Sequence, residues 1–201
     1  MIVKYQYHNT GYIMELMIDI EALAKHNDAV ILTIGAQMFD PSVKGWETKL
    51  QREFHTDAYY QPYMNTRVDV DEQEILGRRI DTETLNWWSK QSPESQEDAF
   101  SPDGRISLRD SLIELSRLAE PCKRVWSKGP LYDFAILEHA YEQVGIRVPW
   151  KFWNVRDART VYSLTPTLTP RTNGHLAIED CRNQILMLQD AFGILGVVQL
   201  K

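Results

Sequence analysis

The sequence lacks the markers of several common protein classes. Its two cysteines, Cys122 and Cys181, lie far apart and form no C-x-x-C motif, so neither a disulfide framework nor a cysteine-ligated zinc site is predicted. No run of about 18 apolar residues occurs, which argues against a membrane-spanning helix. Residues 1–12 contain no apolar stretch of about 7 to 15 residues, as a signal peptide requires. We therefore expect a protein of the reducing cytoplasm.

An excess of positive charge is also missing. The 22 Lys and Arg residues are outnumbered by 28 Asp and Glu residues, which gives a formal charge of -6. A global basic field, which would attract nucleic acid, is therefore excluded. A polyanionic substrate would have to be attracted by bound metal and by local basic residues.

The length and composition indicate one globular unit. The chain has 201 residues, of which 43% are hydrophobic and 25% charged, enough to bury a sizeable core. We expect a single domain over residues 14–201, preceded by a polar and aromatic extension at 1–13.

The first half of the chain predicts three antiparallel strands. The first contains Met17-Ile18-Asp19-Ile20-Glu21, the second is the apolar run 29–39, and the third is the alternating segment 46–54. Residues 55–80 are irregular and are interpreted as a long loop near the active face.

The second half predicts helices alternating with short strands. The segment beginning at Asp81 starts a helix that ends at Ser92-Pro93. Further helices are expected at 107–119, 130–144, from Asp157 and at 174–192, and further strands at 124–127 and 154–156. The fold class is α/β, with a mixed sheet flanked by helices.

Asp19 and Glu21 are the first candidate site residues. Alternate residues of a strand share a face, so both carboxylates converge at the end of an otherwise apolar strand. Repulsion and desolvation make that pair costly unless a cation offsets them. A divalent metal is the natural candidate, although a D-x-E pair alone is also typical of a solvated strand end.

The candidate site is completed by three more residues from the second half of the chain. Asp133 follows Gly129-Pro130, where a strand's carboxyl end leads into a helix, a usual position for α/β sites. His175 and Asp180 are about 140° apart on a regular helix, so we expect His175 to reach in from Gly174 while Asp180 faces the sheet. One would be a base and the other a ligand. Alone, Asp133 could interact with a helix dipole, His175 could be a cap or surface residue, and Glu179 competes with Asp180.

The ordered set Asp19-x-Glu21, Asp133 and His175-x-x-x-x-Asp180 resembles the DEDDh group of 3′-5′ exonucleases on an RNase H-like fold. The surrounding residues are similar too: Ile18-Asp19-Ile20-Glu21, Trp126-Ser127-Lys128-Gly129-Pro130 and His175-Leu176-Ala177-Ile178-Glu179-Asp180. Together with Leu85-Asn86-Trp87-Trp88, they resemble the phage and bacterial 3′-5′ exoribonuclease-like branch.

The resemblance implies a two-metal phosphodiester hydrolysis with Mg²⁺ or Mn²⁺, which prefer oxygen ligands. It implies that Asp19 bridges both ions, that Glu21 and Asp180 hold the ion on the nucleophile side, and that Asp133 holds the other. His175 would take the proton from the attacking water.

Substrate contacts are less sharply indicated. Trp87 and Trp88 point about 100° apart on a helix, so one is expected in the core while the other could stack on a terminal base. The remaining candidates flank the site, and they are Trp126, Ser127, Leu131 and Tyr132. Phosphate contacts could come from Arg78, Arg79, Lys128, Arg156, Arg159 and Arg171, although scattered cations are usually solvated surface.

The expected function is a metal-dependent 3′-5′ exonuclease that releases nucleoside 5′-monophosphates from single-stranded or 3′-overhang DNA or RNA. The resemblance also makes a homodimer and a phage origin plausible. Two alternatives stay open: a non-catalytic RNase H-like module that binds nucleic acid or protein, and a small metal hydrolase that acts on mononucleotides.

Overall fold

A five-stranded mixed sheet forms the centre of the protein in a computed structural model, which describes residues 14–41, 62–169, 171 and 174–197. The strand order is β3-β2-β1-β4-β5. β1 pairs antiparallel with β2, and β2 pairs antiparallel with β3, whereas β1–β4 and β4–β5 are parallel. The strands are β1 Glu15–Ala22, β2 Ile31–Phe39, β3 Tyr63–Arg67, β4 Arg124–Ser127 and β5 Val155–Asp157. The predicted mixed sheet is confirmed.

Seven α-helices in the described part of the chain flank this sheet. They are α1 Val70–Ile75, α2 Thr82–Trp88, α3 Pro93–Phe100, α4 Leu108–Ala119, α5 Pro130–Gln143, α6 Ala158–Ser163 and α7 Ala177–Leu195. A short 3₁₀ helix, Phe152–Asn154, precedes β5. Among the described helices, none combines the length and apolar character needed to cross a bilayer.

β1 lies in the middle of the sheet and sets the position of the site. Every residue of β1 is buried except Asp19, which is half-buried. Such burial on both faces explains the apolar run in its sequence. The parallel register pairs Leu16 with Val125 and Met17 with Trp126, so both strands end at the same edge of the sheet. Asp19 and Glu21 therefore lie beside the turn that leads from β4 into α5.

The start of α7 packs directly on the backbone of β2. A Cβ atom added to Gly35 would lie 2.3 Å from the carbonyl carbon of Ala177, much closer than any van der Waals contact. One turn later, the thiol of Cys181 faces the carbonyl oxygen of Gly35 at 3.4 Å. Gly35 is opposite Asp19 in the β1–β2 register. The glycine therefore lets α7 approach the strand that carries the first acids.

One prediction about secondary structure is wrong, one helix was not predicted, and two predictions cannot be tested. Much of the predicted loop at 55–80 is ordered, with β3 and α1 inside it. β3 lies at the edge of the sheet formed by the described residues and buries only Met64, so its sequence shows no apolar alternation. The helix that begins near Asp81 ends before Ser92-Pro93, as predicted. Ser92-Pro93 also begins a further helix, α3, which was not predicted; the Ser92 hydroxyl accepts a hydrogen bond from Ser95 N at 3.1 Å. The predicted strand at 46–54 and extension at 1–13 lie outside the described residues.

Most of the other elements follow the prediction. The strand Arg124–Ser127 is confirmed, and α4 and α5 begin and end within one residue of the expected bounds. The last helix begins at Ala177 rather than at residue 174, and it continues to Leu195. Residues 174–176 therefore lie outside the helix, and His175 among them has a left-handed backbone conformation.

We expect Gly35→Ala to lower the free energy of unfolding by about 1 to 3 kcal/mol, because the new methyl group must push α7 away from β2. Urea unfolding measures this change. Gly193→Ala is the matched control, since Gly193 lies within α7 and a Cβ there meets no atom within 4 Å. The control should be neutral or stabilising, because alanine favours helix. Equal effects of the two substitutions would contradict the packing argument.

Candidate active site

Asp133 joins the start of α5 to β1. Its Oδ1 atom accepts a hydrogen bond from the backbone N–H of Ile20 at 3.3 Å, and its carboxyl group also interacts with the Ser127 hydroxyl. Ile20 lies between Asp19 and Glu21, so this bond brings the third acid alongside the first two. Asp133 is buried in the first turn of α5.

Asp180 organises the segment that precedes α7. Its Oδ1 atom accepts a hydrogen bond from Gly174 N at 3.0 Å, and its Oδ2 atom accepts one from His175 N at 3.2 Å. The carboxylate is buried in the first turn of the helix. The predicted arrangement, in which Asp180 faces inward and His175 approaches from Gly174, is the one observed.

His175 is held in an uncommon backbone conformation. Its φ angle of 54° is the only positive value among the described residues other than glycine. The neighbouring Gly174 carbonyl accepts a hydrogen bond from the Ser95 hydroxyl at 2.5 Å. The imidazole packs edgewise against Trp87, with 4.7 Å between ring centroids, and its Nδ1 atom lies 3.7 Å from Glu21 Oε1. These contacts fix where the ring points.

All five predicted catalytic residues line one cleft of about 480 Å³. Potential ligand atoms of Glu21, His175 and Asp180 lie within 4.8 Å of one another. Asp19 and Asp133 line the same cleft outside that tight group. β1, the β4–α5 turn and the start of α7 thus bring together residues that are up to 161 positions apart in the sequence, from Asp19 to Asp180.

Burial raises the pKa of every acid in this group. For Asp19 the pKa is raised first by desolvation and then by the charges of Asp133, Glu21 and Asp180. Desolvation also raises the pKa values of Glu21 and Asp180, and it raises that of Asp133 to about 7. The hydrogen bond to Glu21 raises the pKa of His175. Ionisation of these four neighbouring carboxyl groups is therefore unfavourable without a cation, as expected for a cation site.

The predicted substrate-binding residues fall into two groups. Trp87 and Tyr132 line the cleft, and 41% of Trp87 is exposed. The other four do not line it. Trp88, Trp126 and Ser127 are buried, with the Trp88 indole donating to the Ala22 carbonyl at 3.2 Å, and Leu131 is 94% exposed on the outer side of α5. The expectation that one tryptophan of the pair belongs to the core is confirmed for Trp88.

Two of the six candidate cations reach the cleft, Lys128 and Arg159. The Arg159 guanidinium donates to the Lys128 carbonyl from Nε at 3.1 Å and from Nη2 at 2.9 Å, so its direction is fixed. Arg78 is instead buried against the Ala29 carbonyl. Arg79 and Arg171 form ion pairs with Asp28 and Asp190, and Arg156 bonds the Trp153 carbonyl.

Sequence reasoning missed two residues that support the site, Gln184 and Ser95. The amide of Gln184 donates to Asp19 Oδ1 at 2.7 Å. Its position four residues after Asp180 places it on the same helix face, a signal that the sequence contained. Ser95 bonds the Gly174 carbonyl from a separate helix, and no local pattern indicates that contact. Lys25, Glu83 and Thr84 also line the cleft without having been predicted.

Comparison with known proteins gives a family and a set of relatives. Residues 14–192 match the 3′-5′ exoribonuclease Rv2179c-like domain. The exodeoxyribonuclease of Enterobacteria phage T4 is 26% identical over 209 residues, an alignment that covers 88% of each chain.

Two solved structures share the fold at low sequence identity. The zinc-bound complex of E. coli ExoI with single-stranded DNA aligns with a TM-score of 0.65 at 10% identity, over 93% of this chain and 42% of that one. This chain therefore spans about two fifths of ExoI. The nuclease domain of 3′hExo, a DEDDh family member bound to rAMP, aligns with a TM-score of 0.53 at 10% identity, over 96% of this chain and 98% of that one.

The family match covers the sheet, the cleft, the four acids and the histidine. The resemblance seen in the sequence is confirmed. The chain belongs to the 3′-5′ exoribonuclease Rv2179c-like family, and it shares its fold with 3′hExo, a DEDDh family member.

Proposed function

We propose that this protein removes nucleotides one at a time from the 3′ end of single-stranded or 3′-overhang nucleic acid and releases nucleoside 5′-monophosphates. One observation carries the proposal. Four carboxylates and one imidazole, supplied by three separate parts of the chain, line a single cleft. The family match gives the direction of degradation, and the ExoI complex supports a single-stranded substrate.

The donor set fits divalent metal ions. Carboxylate oxygens are hard ligands that suit Mg²⁺ or Mn²⁺. The raised pKa values of the carboxyl groups show that their ionised forms are unfavourable together without a cation. Asp19 would be a ligand common to two ions, Glu21 and Asp180 would hold the ion on the nucleophile side, and Asp133 would hold the other. Such ions supply an activated water and stabilise charge on the phosphate and on the leaving oxygen.

His175 is assigned as the general base. Its Nδ1 atom is directed to Glu21, so we assign Nε2 to take the proton of the attacking water. The contact with Glu21 orients the ring and also raises the pKa of the imidazole. Since only the neutral ring can accept a proton, turnover should increase as the pH passes through that raised pKa.

The walls of the cleft differ in chemistry. Lys128 and Arg159 supply positive charge to the lining of the cleft, and we assign them to phosphate groups of the substrate. Trp87 on α2 also lines the cleft and packs on His175, and it is assigned to the terminal base. The family is described as exoribonucleases and the phage relative as an exodeoxyribonuclease, so both polymers belong in the assay.

The alternatives make different predictions for the same assay. A module that only binds would leave a 5′-labelled oligonucleotide intact, and the buried acids would then raise its free energy with no compensating role. A mononucleotide hydrolase would cleave a nucleotide ester faster than an oligonucleotide. Stepwise shortening of the oligonucleotide from its 3′ end distinguishes the proposed activity from both.

We expect Asp19→Asn to lower the rate of 3′ shortening by on the order of 10³-fold, because the bridging carboxylate is lost while its shape is kept. Gel analysis of 5′-labelled RNA and DNA with Mg²⁺ or Mn²⁺ measures the rate. Asp28→Asn is the control, since Asp28 pairs with Arg79 and does not line the cleft. Undiminished degradation by Asp19→Asn would exclude the assignment.

His175→Ala should lower kcat by about 10²- to 10⁴-fold, the usual effect of removing a general base. Its affinity for Mn²⁺, measured by calorimetry without substrate, should change much less. A loss of Mn²⁺ affinity as large as the loss of kcat would instead identify His175 as a metal ligand. That outcome is a real alternative, because its ring atoms lie close to Glu21 and Asp180.

The raised pKa values also predict how stability changes with pH. The pKa of Asp133 is about 7 in the folded protein, and an unfolded aspartate has a pKa near 4. Asp133 therefore retains its proton to a higher pH in the folded state. In EDTA, this carboxyl group should therefore lower the free energy of unfolding by about 2 kcal/mol from pH 5 to pH 7. Urea unfolding at several pH values measures this slope.

Asp133→Asn should flatten the slope in EDTA, because one raised carboxyl is removed. Added Mg²⁺ should stabilise the protein more at pH 8 than at pH 6, since metal binding needs the ionised acids. A stability in EDTA that increases from pH 5 to pH 7 would contradict the electrostatic account.

A further inference from the structure

Gln184 is a buried amide that contacts the proposed bridging carboxylate from behind the cleft. Only 1% of the residue is exposed, and it does not line the cleft. Its Nε2 atom donates a hydrogen bond to Asp19 Oδ1 at 2.7 Å. A carboxylate can only accept hydrogen bonds when ionised, so the amide must present its NH₂ group to Asp19. The contact fixes the position of the Oδ1 atom relative to α7.

The other half of the same amide has no compensating contact. Gln184 Oε1 is buried and has no hydrogen-bond partner in the described part of the chain. An unsatisfied buried carbonyl is unfavourable, whereas an apolar side chain of the same length would leave none. Packing of α7 on the sheet therefore does not explain why residue 184 is an amide, whereas the hydrogen bond to Asp19 explains it.

We propose that Gln184 is a positioning residue for the metal site, and that its amide holds the Asp19 carboxyl group in the orientation that receives a divalent cation. The inference rests on the proposed function, because it assigns Asp19 as a metal ligand. It adds a residue that lies outside the four acids and the histidine. Neighbours that orient a metal ligand typically change metal affinity by about 10- to 100-fold when they are removed.

The same helix provides a matched control. Gln189 is also buried on α7, and its Nε2 atom donates to the Asp40 carbonyl at 3.0 Å, at the far end of β2 from the site. Gln184→Met and Gln189→Met remove the same amide from the same helix. Only the first removes a contact with an acid of the cleft.

Calorimetric titration of each purified variant with Mn²⁺, without nucleic acid, tests the inference independently of activity. We expect Gln184→Met to weaken Mn²⁺ binding by about 10-fold or more and to keep a metal-free melting temperature close to that of the wild type. Gln189→Met should bind Mn²⁺ like the wild type. Excess metal should restore much of the kcat of Gln184→Met, because the acids themselves remain.

Wild-type Mn²⁺ affinity in Gln184→Met, or an equal loss in Gln189→Met, would overturn the inference. If the methionine variant does not fold, the wild-type protein still provides a test. Addition of Mg²⁺ should shift the side-chain amide resonances of Gln184 more than those of Gln189, and equal shifts would count against the positioning role.

Failure of the inference can be distinguished from failure of the proposed function. If the wild type degrades oligonucleotides and Gln184→Met binds Mn²⁺ normally, only the role of Gln184 is wrong. If the wild type degrades neither RNA nor DNA but Gln184→Met binds Mn²⁺ weakly, the metal site stands and the nuclease assignment is wrong.

Discussion

The repulsion among four carboxyl groups is the interaction on which the rest of the cleft depends. Asp19, Glu21, Asp133 and Asp180 are brought together while three of them are buried, and each has a raised pKa, first because burial removes it from water and, for Asp19, Glu21 and Asp133, also because of neighbouring carboxyl charges. The fold must hold these groups in place against their own electrostatics. It does so with backbone amides, since Ile20 N bonds Asp133 and the N–H groups of Gly174 and His175 bond Asp180. A divalent cation would turn the same repulsion into attraction.

The parallel pairing of β1 with β4 and the close packing of α7 on β2 determine where those groups meet. Parallel strands end at the same edge of a sheet, so the end of β1 and the turn into α5 become neighbours. Gly35 then lets α7 lie against the sheet, which places Asp180 and Gln184 on the inner side. Asp180 has two roles, because it faces the cleft and also fixes the backbone that presents His175. A single helix thus supplies an acid, the support for a second acid and the anchor for the imidazole.

Supporting contacts come from parts of the chain that carry no catalytic residue. Ser95 bonds the Gly174 carbonyl from α3, and Trp87 packs on His175 from α2. His175 has a left-handed backbone, a conformation that is unfavourable for residues other than glycine and persists only where surrounding contacts enforce it. The orientation of the imidazole is therefore a property of several helices together.

The sequence by itself determined the fold class and the main strands and helices, because the apolar periodicity of each element is visible within a short stretch of residues. It also determined the five candidate catalytic residues, because their order along the chain is itself a pattern. It failed at β3 and α1, since a short edge strand and a six-residue helix bury too little to leave a pattern. Tertiary structure alone decided which aromatic residues reach the cleft. Trp87 and Trp88 are adjacent in the chain, yet one lines the cleft and the other is in the core. It also decided the role of Ser95, because a hydrogen bond between residues 79 positions apart depends on how helices pack, which no local pattern encodes. For Gln184 the sequence indicated the helix face that it shares with Asp180, and only the packing of α7 on the sheet made Asp19 its partner.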